Sequence, residues 1–228
     1  MQSPTNMSIE ITRIIRSRRK TIALIIQKDG ALIVRAPLKA SEKSIREFAE
    51  KHAQWILKKQ AQVRAAVLPL PRQYTSGETF LYLGREIPLE IVKGQKPALV
   101  LDTHFKLAES ALGNAERVFE HWYREQARQI LSERVRLFAS QHHLQFQGLR
   151  ISSARTRWGS CNSKGGLSFS WRLILTPMEV VDYVVVHELA HTLNHNHSKR
   201  FWNQVERILP NFKEHRKWLR TNGQKVML

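Results

Sequence analysis

The sequence has little cysteine, few acidic residues and no long apolar run. A single cysteine, Cys161, in 228 residues rules out an intramolecular disulfide, so burial and hydrogen bonding must hold the fold and a reducing compartment is expected. No stretch approaches the roughly 20 apolar residues a membrane span requires. The N-terminal MQSPTNMSIEITRIIRSRRK lacks an apolar core followed by a small-residue cleavage site. A soluble cytoplasmic protein with no membrane partner is the expectation. Repeats and low-complexity segments are missing too, which excludes solenoids and long linkers. Asp and Glu number 19 against 37 Lys and Arg, a net charge of +18. A field of that sign attracts polyanions, so nucleic acid joins peptide or protein as an expected partner, through the basic surface.

What is present is 42% hydrophobic, enough for one or two packed domains. Between residues 9 and 36, short Ile- and Val-rich runs surround a turn at Lys28-Asp29-Gly30, predicting an antiparallel hairpin of IALIIQ with ALIVRA. Ser41 then caps a helical pattern over about 41–65, with Ile45, Phe48, Ala49, His52, Trp55 and Ile56 on one face. Pro69 and Pro71 end it. TFLYLG and IPLEIV read as strands joined through Arg85-Glu86, followed by a strand at ALVLD. After Gly113 the period changes, and Phe119, Tyr123, Ala127, Ile130, Leu131, Leu137 and Phe138 form the stripe of a long helix. We place the domain boundary there. ISSARTRWGSCNSKGGLSFSWRLILTP reads as two strands around GSCNSKGG. Thr176-Pro177-Met178-Glu179 has the form of a capping box at the start of a further helix.

That helix runs into VVVHELAHTLNHNHSKRFW, residues 184–202. His187 and His191 are four positions apart, so a helix projects both imidazoles from one face as two ligands of one tetrahedral ion. Glu188 follows the first ligand, where its carboxylate can act on water at the metal; this is the HExxH arrangement. On an unbroken helix His195 would sit roughly 12 Å along the axis from His187, too far to share the ion. The third ligand must therefore follow the helix end. A left-handed turn at Asn194 or Asn196 would bring His197 back, giving HExxHxxNxxH. His197 is the third candidate ligand and His195 the alternative; Glu206 or Glu214 would give a gluzincin-like set. Three imidazoles suit Zn2+, with nickel, cobalt or copper able to occupy such a site. Tyr183, one turn before His187, is a candidate transition-state contact.

RTRWGSC at 155–161, LSFSWRLILTP at 167–177, VVVHELAHTLNHNHS at 184–198 and the following RFW together resemble the YgjP-like metal-dependent hydrolases, relatives of the SprT-like zinc metallopeptidases. The resemblance covers most of the chain. It implies a zincin-type domain with His187, His191 and His197 as zinc ligands and Glu188 as the catalytic acid/base, and intracellular metallopeptidase chemistry. The SprT-like relatives are associated with DNA-bound protein substrates, with which the +18 charge agrees. One departure is that neither Met178 nor Met227 sits in a methionine turn.

The RWGSC hairpin could offer an edge strand to an extended peptide. Arg157 is a candidate substrate contact, and Trp158 a brace for the hairpin against the HELAH helix. Cys161 is either a packed thiol or a fourth ligand in a latent state. Aromatics interleaved with basic residues in the tail, Phe201, Trp202, Phe212 and Trp218, either stack on nucleic acid or pack inward. The expectation is an α+β protein: an N-terminal, mainly antiparallel β region with a helix at 1–112, then a zincin-like metallopeptidase domain at 113–228. Two function classes compete, a zinc-dependent hydrolase of peptide or other amide and ester bonds, and a basic nucleic-acid-binding protein with a structural or vestigial metal site.

Overall fold

A computed structural model describes residues 9–27, 29–65 and 72–227. The chain forms two compact units, Met1–Leu70 and Pro71–Leu228. The expected division before residue 113 falls elsewhere. The change from strand to helix period at Gly113 lies inside the second unit, where strands and long helix share one core.

In the first unit, strands β1 (Arg13–Ser17), β2 (Ala23–Ile26) and β3 (Leu32–Pro37) form a sheet ordered β1-β3-β2. The β2–β3 hairpin forms as predicted, with Lys28 outside the described residues. β1 runs parallel to β3, so this sheet is mixed, although antiparallel pairs predominate over residues 1–112 as expected. Along β3 the side chains alternate, burying Leu32, Val34 and Ala36 against Ile45, Ala49 and Ile56 of the helices. The Ser41 hydroxyl accepts the Ser44 N–H at 3.1 Å and starts α1 (Glu42–Lys51). The predicted single helix is broken at His52. There the ring Nδ1–H donates to the Phe48 carbonyl at 2.8 Å and the backbone N–H turns to Ala49, so α2 (Ala53–Ala65) begins afresh. Trp55, expected on the buried face, is 43% exposed.

The second unit opens with a four-stranded sheet ordered β4-β5-β7-β6, from β4 (Thr79–Tyr82), β5 (Arg85–Val92), β6 (Leu99–Leu101) and β7 (Phe105–Ala108). β7, which pattern reading missed, is an inner strand parallel to β5. Its alternation is only four residues long, with Phe105 and Leu107 buried. The β4–β5 turn lies at Leu83 and Gly84 rather than Arg85-Glu86. Both residues have positive φ, 49° and 77°, the turn whose twist matches a hairpin. A Cβ at Gly84 would also come within 2.7 Å of Pro177, because this turn bonds to the Ile174 and Leu175 carbonyls just before the next core helix.

Over this sheet lies α3 (Ala115–Gln141), burying Phe119, Tyr123, Ala127, Leu131, Val135 and Phe138. Val135 takes the place expected for Leu137, which is 38% exposed. Phe119 stacks on Phe80 at 4.2 Å between centroids. A second sheet, ordered β8-β10-β9, has three strands where two were expected: β8 (Gly148–Ser152), β9 (Gly159–Cys161) and β10 (Gly166–Ser170). β8 is parallel and β9 antiparallel to β10. The turn between β9 and β10 is set by Asn162, whose side-chain oxygen accepts the N–H groups of Lys164 and Gly166, each at 2.9 Å.

A 3-10 stretch, Trp171–Leu175, leads into α4 (Met178–Ala190). The predicted capping box does not form. The Thr176 hydroxyl donates to the Leu173 carbonyl at 2.7 Å, and Pro177 occupies the cap. α4 is apolar and buried nearly all round, from Val180 to Ala190. Arg134 of α3 grips Asp182 in two parallel bonds of 2.5 and 2.7 Å and sets the rotation of α4. Helices α5 (Lys199–Ile208) and α6 (Phe212–Met227) complete the unit.

Candidate metal centre

Helical spacing places His187 of α4 and His191 at its C-cap one turn apart, with ring centroids 5.0 Å apart. α4 then ends, and the chain passes through a tight turn in which Thr192, Leu193 and Asn194 donate to carbonyls of Leu189 and Ala190. This is not the left-handed turn expected. The described non-glycine residues with positive φ are Tyr74, Leu83 and His143, and neither Asn194 nor Asn196 is among them. The return is nevertheless made, and His197 arrives with Nε2 3.1 Å from Nε2 of His187. Ligand atoms of His187, His191 and His197 all lie within 4.8 Å of one another. Two imidazoles on one tetrahedral zinc have nitrogens about 3.3 Å apart, so this spacing fits one ion. His195 is exposed and stands outside the cluster. Glu206 pairs with Lys213 at 2.9 Å, Glu214 is exposed, and neither joins it. Cys161 does not join it either.

The protonation states also fit a metal. Nδ1 of His191 lies 3.0 Å from the Asn194 carbonyl. A carbonyl only accepts, so the proton resides on Nδ1 and the Nε2 lone pair is free for an ion. Burial, then the neighbouring His191 and His197, then Arg216 push the pKa of His187 down to about 3, so its ring is neutral near pH 7, the form that ligates. Its buried Nδ1 has no partner among the described residues.

Behind the triad stands an aromatic wall. Phe201, fully buried, lies 4.9 Å from His187, 4.5 Å from His191 and 4.9 Å from His197. Trp202 stacks on His197 at 5.6 Å and on Phe212 at 5.4 Å. Phe201 and Trp202 of α5 and Phe212 of α6 therefore pack inward. The ring of Tyr183 is buried between His187, at 5.9 Å, and Phe212, at 6.4 Å, which makes packing its evident role.

Glu188 is only 6% exposed, and burial raises its carboxyl to about 7 against the opposing pull of Arg157. It fits because β9 carries a glycine. A Cβ at Gly159 would lie 2.6–2.9 Å from the Glu188 side chain, closer than real Cβ contacts come. Gly159 is thus a site residue that motif reading overlooked, although it stands in the RWGSC segment. Arg157 is exposed beside an open groove of about 480 Å³ along β8, β9 and β10. Trp158 does act as a brace, but its ring packs over Gly223 of α6. Burial, with Glu188 nearby, raises the Cys161 thiol, which keeps it protonated and a poor ligand.

A buried carboxylate next to three converging imidazoles is the donor set of a metal-dependent hydrolase. Over residues 20–222 the chain matches the YgjP-like family, described as a YgjP-like metallopeptidase domain. The chain belongs to that family, which bears out the resemblance read from its motifs. No curated protein and no solved structure matches it.

Proposed function

We propose that the protein is a zinc-dependent peptidase of the HExxH type, with His187, His191 and His197 as ligands and Glu188 as general base. The convergence of the three imidazoles beside Glu188 carries this reading. Zinc held by three histidines supplies Lewis acidity toward a carbonyl and toward water. The protein's own contribution is the proton. A carboxylate can accept a proton from the attacking water at one oxygen and deliver it to the departing amine, and burial, which raises Glu188 above the ordinary carboxylate range in the metal-free chain, makes it a stronger base. Burial of Glu188 and the clearance at Gly159 keep that carboxyl in place. Strand β9 lies at the edge of its sheet, so an extended peptide can add to it by main-chain hydrogen bonds, with Arg157 at its rim. The same chemistry serves other amides and esters. The lone Cys161 agrees with a cytoplasmic setting.

Glu188→Gln tests the reading. The variant should retain one zinc per chain by mass spectrometry while hydrolysis of a peptide library falls by on the order of a thousandfold or more. Hydrolysis unchanged in Glu188→Gln would rule it out. A second reading, polyanion binding, is favoured by the net charge of +18 and by an open groove of about 390 Å³ on α5 between Lys199, Arg200, Asn203, Gln204 and Arg207. It predicts nucleic-acid affinity that falls steeply with salt and is indifferent to Glu188→Gln.

A further inference from the structure

Five cations among the described residues lie over aromatic rings. Four of them also have a polar protein partner. Arg72 reaches Glu78, Arg134 grips Asp182, Arg172 donates to the Ser153 carbonyl, and Lys213 pairs with Glu206. Arg216 on α6 is the exception. Its guanidinium lies 4.5 Å over the Trp202 ring, the residue is exposed, and no carboxylate of the described residues pairs with it. The acids nearest in sequence do not serve it. Glu214 stands two positions away on the helix and projects from another face, and Glu206 is engaged by Lys213.

The ring that carries Arg216 belongs to the metal centre. Trp202 stacks on His197 and lies 5.7 Å from His187, and Phe212 backs it on the same helix as Arg216. A single indole thus contacts both an unpaired planar cation and the triad. A guanidinium resting over a ring keeps the N–H donors at its edge for another partner, and their fork matches the two oxygens of a carboxylate. An arginine without a carboxylate, held beside the reaction centre of a peptide-cleaving site, is complementary to one brought by the substrate.

We propose that Arg216 is the residue by which this site selects a carboxylate on its substrate, either an acidic side chain near the scissile bond or the free C-terminus of the peptide. The inference rests on the peptidase reading above, but carboxylate binding can be measured without turnover. Zinc-loaded, full-length Glu188→Gln protein is titrated calorimetrically with short peptides that differ only in Asp against Asn and in acid against amide at the C-terminus. The carboxylate form should bind about tenfold tighter, and the arm showing the preference identifies the source. Adding Arg216→Met, which keeps an aliphatic stem over Trp202, should reduce the preference to below about twofold. Arg216→Lys should fall between, because it keeps the charge and loses the fork. No preference in the parent protein, or one that survives Arg216→Met, overturns the proposal. Preference without cleavage by the wild type would sink the peptidase reading and leave Arg216 standing; cleavage without preference would do the reverse.

Discussion

Helix α4 and the turn that follows it supply the same triad under opposite conditions. On α4, His187 and Glu188 are set among Val184, Val185, Val186 and Leu189, all buried, and their directions follow from helical geometry and packing. His197 stands on the exposed stretch between α4 and α5. Its position depends on backbone hydrogen bonds of a turn and on the stack with Trp202. The difference teaches that the centre has a preformed half and a docked half. Burial also perturbs ionisation on the α4 side, lowering His187 and raising Glu188.

The widest gap between the halves should appear on removing a histidine of the cluster from each. His187→Ala should cost the metal-free protein on the order of 2 kcal/mol, because a packed ring leaves a cavity, as well as abolishing zinc retention. His197→Ala should lose zinc equally while shifting the metal-free unfolding midpoint by less than about 0.5 kcal/mol, as surface changes do. His195→Ala should do neither. Equal destabilisation by the two ligand changes, read by denaturant unfolding after chelation, would erase the distinction.

A smaller effect is expected from Gly159→Ala, which drives a methyl into the Glu188 carboxyl. Displacing a general base by about 1 Å lowers turnover on the order of a hundredfold, and zinc content should be unchanged because the triad does not touch Gly159. Loss of zinc in this variant would mean that the buried half is less independent than its packing implies.

A further effect concerns pH. In the metal-free protein Glu188 titrates near 7, above its ordinary 4.5, so the unfolded chain ionises first. The group's stabilising contribution is complete below about pH 4.5 and is lost as pH rises through 7. Glu188→Gln lacks that loss. It should exceed the wild type by on the order of 2 kcal/mol at pH 8 and match it near pH 4. His187, lowered to about 3, weakens both proteins as pH falls below 6.5 and cancels in the difference. A stability gap that does not change with pH would show that Glu188 is not held in a desolvated pocket.

Long periodic features were legible without a structure. The stripe of α3, the β2–β3 hairpin and the i, i+4 pair on α4 all follow from residue spacing, because helix and strand geometry repeat over many residues. The choice of His197 over His195 was also legible, since distance along a helix excludes His195. Short or competing signals were not. β7 has four residues, the 41–65 helix is broken by one histidine ring, and the Thr176 hydroxyl chose a carbonyl behind it over the helix ahead.

The sequence alone therefore determined which atoms could bind a metal, that the helix bearing two of them would be buried, and that the surface would be basic, since these depend on residue type and spacing. Tertiary structure decided what no local pattern contains. It set the space at Gly159 that admits Glu188, the aromatic wall of Phe201 and Trp202 behind the imidazoles, and the unpaired Arg216 beside them. Each of these joins residues of different strands, helices or turns, and such contacts arise only when the elements pack.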